Sequence, residues 1–147
     1  MRVTVRLALV ALSVAAIGAC KKDNGSQTQT AAGSVGANSA VQVTEISLGK
    51  HLGTDKRVVD QADTFSPSDT IYASVHTTGA GSTTVAARWT FQDGQVVNER
   101  SESIAPNGDA YTEFHISKPS GWPAGKYTLH VLLNGEEVKT KEFNVGM

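Results

Sequence analysis

From residue 41 onward, apolar and polar side chains alternate along the chain with a period of two. This spacing is typical of β-strands that bury one face and expose the other. No stretch keeps a helical period over three turns. The pattern therefore predicts an all-β region, with its clearest strands at Ile71 to Val75, Val85 to Phe91, Ala110 to Ile116 and Tyr127 to Leu133.

Turn signals separate several of these strands. Asp93-Gly94 and Asn134-Gly135 are pairs that tolerate the positive φ angles of tight hairpins. Val96-Val97 is expected to lie on the return strand after the first pair, and Val138 to Val145 after the second. The two pairs therefore predict antiparallel hairpins.

About seven short strands fit into the 107 residues from 41 to 147, which predicts an antiparallel β-sandwich. The alternation changes phase between Val43 and Ile46, and this change predicts a bulge or a switch of face. A closed barrel is the alternative architecture. It would need eight longer strands and leave little chain for the loop from His51 to Phe65.

The N-terminus has the order of a secretory signal. Arg2 and Arg6 precede an apolar run from Leu7 to Ile17, and small residues then lead to Cys20. A membrane-spanning helix needs roughly 20 mostly apolar residues, and this run ends after about a dozen. Residues 1–19 are therefore predicted to be a cleaved leader.

The motif Ile17-Gly18-Ala19-Cys20 resembles the lipobox of bacterial lipoproteins. The resemblance implies that signal peptidase II cleaves before Cys20, which becomes the first mature residue and carries diacylglycerol and usually an N-acyl chain such as palmitate. The alternative is an ordinary secretory signal with an incidental cysteine. Because Cys20 is the only cysteine, no internal disulfide can form, and a lipid would explain an unpaired thiol in an exported chain.

The residues after Cys20 suggest a tether and a location. Residues 20–40 are small and polar apart from Val35 and are predicted to be a flexible linker. Lys21 stands where an aspartate would retain a lipoprotein at the inner membrane, so the resemblance implies the periplasmic face of the outer membrane. Residues 1–19 carry only the charges of Arg2 and Arg6, so the net charge without them changes from −1 to −3. A negative net charge provides no positive electrostatic field to attract nucleic acid.

The segment Ala124-Gly125-Lys126-Tyr127-Thr128-Leu129 resembles the tyrosine corner of immunoglobulin-like domains. The resemblance implies that Trp89 is the core tryptophan of strand C, that Leu129 occupies a usual cysteine position in strand F, and that Val75 or Ala73 faces it from strand B. The cysteine pair is absent, so packing alone must hold the core. The expected core contacts are those of Trp89, Phe91, Phe114, Leu129 and Val131.

One group of side chains could bind a metal. His76, His115 and Glu113 are expected on neighbouring strands of one sheet, near Tyr72. Two imidazoles and a carboxylate are suitable ligands for zinc or copper. The alternative interpretation is a set of polar residues on the solvated face of a half-buried sheet.

Three aromatic residues are candidates for partner binding, namely Trp122, Tyr72 and Tyr111. Trp122 lies in a loop with two prolines and is either an exposed anchor for a protein or a sugar, or a plug over the end of the sandwich beside Tyr127.

No motif for a nucleophile with its base, a zinc protease or a phosphate-binding loop occurs. We therefore expect no enzymatic activity and no cofactor. The sequence favours a membrane-anchored, non-catalytic binding or scaffolding module of the cell envelope that recognises an envelope protein or glycan. The alternative is a metal or small-ligand carrier, or a small enzyme, that uses the histidines of one sheet face.

Overall fold

The computed structural model describes residues 40–146. The predicted leader, Cys20 and the linker up to residue 39 lie outside this range. The described residues form eight strands: β1 (Gln42–Gly49), β2 (Thr64–Phe65), β3 (Ile71–Thr78), β4 (Thr83–Phe91), β5 (Gln95–Ile104), β6 (Ala110–Ile116), β7 (Gly125–Leu133) and β8 (Glu136–Val145). Within this range, we find no helix whose length and apolar character would let it cross a membrane.

The strands form two sheets with a shared core. One sheet has three strands in the order β1-β3-β6, and the other has five in the order β2-β8-β7-β4-β5. All pairs are antiparallel except the short β2–β8 pair, which is parallel. The chain is therefore a two-layer sandwich, and the alternative of a single closed barrel is wrong.

The inward positions of the predicted strands form the core, so the predicted period of two is confirmed. On β3 and β4 the residues that face the core alternate with outward ones, and of the outward residues only Ser74 and Thr90 are also buried. Every expected core residue belongs to this cluster or packs against it. Its largest fully buried side chains are Trp89, Tyr127, Phe65, Phe143, Leu48, Ile71 and Leu129.

Two strands depart from the sequence pattern. β5 continues from Val96-Val97 through Ile104, although its later residues are polar on both faces. It lies at the edge of its sheet and pairs only with β4, so neither face needs to be apolar. β2 has only two residues, too few to show a period, and joins the sheet because Phe65 is buried in the core.

The predicted turns and bulge are confirmed. Asn134 and Gly135 both have positive φ angles, 51° and 88°, as a type I′ hairpin turn requires. The turn at Asp93-Gly94 has its positive φ angles at Gln92 and Gly94. The register of β1 against β3 shifts between Val43 and Glu45, where the phase of the sequence pattern changes.

The tyrosine corner is also formed. The Tyr127 hydroxyl donates a hydrogen bond of 2.8 Å to the Pro123 carbonyl oxygen, four residues upstream. Trp89 pairs with Leu129 across β4 and β7, and both side chains are buried. Val75 is buried on β3 in the opposite sheet. The protein is an immunoglobulin-like β-sandwich whose described residues contain no disulfide.

Aromatic contacts connect the middle of the core to one end of the sandwich. The Phe143 ring lies 5.3 Å from that of Tyr127 and 5.8 Å from that of Trp89. The Tyr127 ring in turn lies 4.7 Å from Phe91 and 6.1 Å from Trp122. Burying each large side chain contributes roughly 1.5–3 kcal/mol, so a few such contacts can match a disulfide worth about 2–4 kcal/mol.

The turn before β3 joins three parts of the chain through Asp69. Its carboxylate accepts a hydrogen bond from the Ser66 backbone N–H and forms a 2.8 Å ion pair with Lys50 at the end of β1. Its backbone carbonyl accepts a hydrogen bond of 3.1 Å from the Trp122 indole N–H. The hydrogen bond from Lys50, with the backbone bond from Ser66, holds the pKa of Asp69 below its ordinary value of 3.8.

Asp69 is therefore expected to make stability depend on pH in the acid range. Its pKa is lower in the folded state, so its contribution is complete above pH 3.8 and is lost as pH falls through the folded value. The substitution Asp69→Asn should lower the free energy of unfolding by about 1 kcal/mol at pH 7 and by less below pH 4. Urea denaturation at a series of pH values measures this difference.

The matched control is Asp93→Asn, because Asp93 lies in an exposed turn and forms no salt bridge among residues 40–146. This control should follow the wild-type pH curve. A constant difference between Asp69→Asn and the wild type from pH 7 to pH 3 would contradict the assigned role of Asp69.

Candidate functional site

The strand register defines two ends of the sandwich. At one end, Ala40, where the described chain begins, lies in a depression that Thr83 and Asn134 also line. Phe91, at the other end of β4, lines a separate groove. A strand rises about 3.3 Å per residue, so the nine residues of β4 place the groove about 26 Å from the end at which the chain arrives.

The groove at this far end has a volume of about 410 Å³, within the lower part of the usual range for ligand sites. It lies between the beginning of β5, the end of β4 and the loop that follows β6. We call it the far-end groove, and its lining residues are Phe91, Gln95, Val96, Val97, Asn98, Ser117, Lys118, Trp122, Pro123 and Tyr127.

A β-bulge arranges the polar side of the far-end groove. Asn98 pairs with Trp89, whereas Val96 pairs with the next residue of β4, so Val97 is the extra residue on β5. Residues three apart normally point to opposite faces of a strand. The inserted residue changes the phase and allows the amide side chains of both Gln95 and Asn98 to line the groove.

The polar side chains of the far-end groove are not used by the fold. Asn98 Oδ1 is buried and has no hydrogen-bond partner within residues 40–146. Leaving such an atom unpaired costs about 1–3 kcal/mol, and in a native protein it calls for an explanation. Lys118, the one charged lining residue, forms no ion pair with any other described side chain.

The aromatic residues of the groove, in contrast, have their polar atoms engaged. The Tyr127 hydroxyl and the Trp122 indole N–H both donate to backbone carbonyls. Burial raises the pKa of Tyr127, which keeps its hydroxyl protonated as a donor. These rings therefore offer only apolar surface, and ligand hydrogen bonds would fall to Gln95, Ser117 and Lys118.

Trp122 lies in the core and is only 7% exposed. This placement corresponds to a plug over the end of the sandwich, and it corrects the alternative of a free-standing anchor that projects into solvent. The Trp122 backbone N–H donates a hydrogen bond of 2.8 Å to the Pro67 carbonyl oxygen, and the Trp122 ring packs edge-on against Tyr127. A ligand could contact this indole only as part of the groove wall.

Tyr72 and Tyr111 lie on the outer face of the three-stranded sheet, away from the far-end groove. The Tyr111 ring stacks on the His76 ring, with centroids 4.5 Å apart, and the Arg57 guanidinium carbon lies 4.3 Å from the centroid of the Tyr111 ring. Tyr72 pairs with His115, with ring centroids 5.5 Å apart. Both tyrosines are half-buried and lie among polar side chains.

The candidate metal ligands lie on this face but do not converge. His76 is opposite Tyr111, and His115 is four residues further along β6, about 13 Å away along the strand. His115 contacts Glu113 at 2.8 Å, whereas His76 contacts Thr44 and Asp109. No group of three metal-ligating side chains is found anywhere in residues 40–146.

The other two histidines, His51 and His130, each have a polar partner. His51 contacts Asp60 at 3.0 Å. His130 Nε2 lies 3.0 Å from the Thr90 hydroxyl, and its Nδ1 lies 2.7 Å from Glu137. This hydroxyl–imidazole–carboxylate row resembles a nucleophile with its base. Thr90 is only 6% exposed, however, so its hydroxyl is closed to a substrate.

No protein-family model matches this chain. No curated protein matches it either. Among solved structures, it is similar to an immunoglobulin-like protein from Pseudomonas aeruginosa, with 14% identity over 76% of this chain and 100% of the other, at a TM-score of 0.48. It is also similar to the C-terminal domain of wzt, with 9% identity over 73% of this chain and 74% of the other, at a TM-score of 0.49.

A third similar structure is an alkylpurine DNA glycosylase from Pseudomonas fluorescens bound to DNA containing an abasic site analog. It shares 16% identity over 73% of this chain at a TM-score of 0.48, and the match spans only 30% of the glycosylase. Similarities at this level transfer no function to the chain. The assignment of the fold rests on the two sheets and the tyrosine corner described above.

The unpaired side-chain oxygen of Asn98 predicts that an apolar substitution at this position stabilises the fold. Asn98→Leu replaces the amide with an apolar side chain of similar shape and removes the buried atom that lacks a partner. We expect the free energy of unfolding to rise by about 1 kcal/mol, measured by urea denaturation. The control Asn144→Leu changes an exposed asparagine on β8 and should have almost no effect. A loss of stability in Asn98→Leu would show that the amide supports the fold.

Proposed function

We propose that this protein is a lipid-anchored, non-catalytic binding module of the cell envelope, attached through Cys20, that holds a partner in the far-end groove. The proposed location is the periplasmic face of the outer membrane. The observation that carries the proposal is the groove itself, in which unused polar side chains surround apolar aromatic surface at the end remote from Ala40.

The position of the groove supports this function. Residues 20–39 would connect the lipid to the end of the sandwich at which Ala40 lies, and a flexible chain of about 20 residues has a typical span of about 25 Å. The groove lies about 26 Å beyond that end along β4. It would therefore lie at the end of the domain opposite the tether, where a component of the envelope can reach it.

The engagement of the histidines supports a binding role over a catalytic one. Each of the four imidazoles has a polar partner in the fold, and His130, which comes nearest to a catalytic arrangement, contacts a buried hydroxyl. The alternative of a metal carrier has no specific support, because His76 and His115 are separated on the sheet face.

Lipidation at Cys20 is expected to decide where the protein is found. In the native host, Cys20→Ala should abolish incorporation of a labelled palmitate analogue and move the protein from the membrane fraction to the soluble fraction. Two or three acyl chains bind a bilayer firmly, and their loss leaves only weak surface contacts. Ser34→Ala is the control in the same segment and should keep both the label and the location. Acylation that persists in Cys20→Ala would contradict the anchor.

Use of the far-end groove can be tested in cells by photo-crosslinking from two positions on one strand. A photoreactive amino acid at Val97, on the rim of the groove, should form a covalent product with an envelope component. The same amino acid at Ser103, near the other end of β5, is the control and should not. Equal products from both positions, or none from Val97, would count against the groove as the binding site.

A further inference from the structure

The free edge of β5 runs beside the far-end groove. β5 is the last strand of its sheet, so half of its backbone N–H and C=O groups point away from β4 with no strand to receive them. Edge strands are usually protected from pairing with other chains by charged side chains. On β5 the charges lie in the later part of the strand, at Glu99, Arg100 and Glu102.

The first part of β5, from Gln95 to Asn98, has no charge and carries two exposed valines. Val96 is 52% exposed and Val97 is 37% exposed. They are two of the four large apolar side chains that are exposed in residues 40–146, and both line the far-end groove. The uncharged part of the edge, which contains the bulge at Val97, and the groove therefore form one continuous surface.

We propose that this surface binds an extended peptide segment of a partner protein in which an acidic side chain follows or precedes an apolar one. The segment adds a strand to the free edge of β5, places its apolar side chain against Phe91 and Val97, and brings its carboxylate to Lys118. This inference rests on the proposed function and specifies the chemistry of its partner.

Charge and hydrogen bonding select this occupant. Lys118 is the only charged residue of the groove lining, so the groove is electrostatically complementary to a carboxylate. The outward backbone N–H and C=O groups of β5 need partners, which an extended peptide supplies. Sugar hydroxyls could also bond the Gln95 amide, but a row of backbone groups along a strand edge specifically matches the repeat of an extended peptide.

The experiment starts from a random dodecapeptide library displayed on phage and selected on the full-length chain in detergent micelles. Selected peptides are synthesised and titrated by fluorescence anisotropy. We expect the selected sequences to share an acidic residue beside an apolar one. Lys118→Ala should weaken binding about tenfold, because a hydrogen bond between charged groups is lost.

Two controls separate recognition from a general effect on structure. Lys126→Ala removes an exposed lysine that pairs with Glu142 on the outer face of β7 and β8, and it should leave the affinity unchanged. Peptides methylated at alternate backbone nitrogens test strand pairing directly. Methylation in one register should abolish binding, and methylation in the other should have little effect, because only every second N–H of an added strand points to its neighbour.

The outcomes also distinguish this inference from the proposed function. The inference is overturned if the peptide affinity does not change in Lys118→Ala, or does not depend on which register of backbone nitrogens is methylated. If no peptide is selected but an oligosaccharide from a panel of cell-wall fragments binds and depends on Gln95, the groove is a binding site for glycans. In that case the peptide inference fails and the binding function stands. If neither class binds, both fail.

Discussion

The structure depends on the burial of aromatic and aliphatic side chains between two sheets that no disulfide connects. Leu129 and Val75 are fully buried on opposite sheets at the level of Trp89, where related folds commonly have a disulfide. The aromatic contacts around Phe143 and Tyr127 extend this packing toward one end of the sandwich. These contacts reach the end of the sandwich where the far-end groove lies.

The same packing explains how a groove can exist there without weakening the fold. The hydroxyl of Tyr127 and the indole N–H of Trp122 are bonded to backbone carbonyls, so the rings form a fixed apolar floor. The polar residues stand on β5, which contributes little to the core because it lies at the sheet edge. An unpaired amide at Asn98 is tolerable on such a strand, whereas the same atom in β4 or β7 would lie within the core.

Much of the fold could be predicted from the sequence because burial of one face imposes a period of two on β3, β4, β6 and β7. The Asn134-Gly135 hairpin and the bulge after Val43 follow from equally local signals. The full length of β5 could not be predicted, since an edge strand need not alternate. The groove could not be predicted either, because Asn98, Lys118 and Trp122 come from separate segments that only the tertiary fold brings together.

The opposite positions of Ala40 and the groove have a mechanical consequence. A partner held in the groove and a lipid held in a membrane would pull on the domain from its two ends, along the direction of the strands. Hydrogen bonds in antiparallel sheets lie perpendicular to the strands, so this load acts on them in shear. Many bonds must then fail together, rather than one after another as in unzipping, and this geometry suits a domain that has to keep its shape under tension.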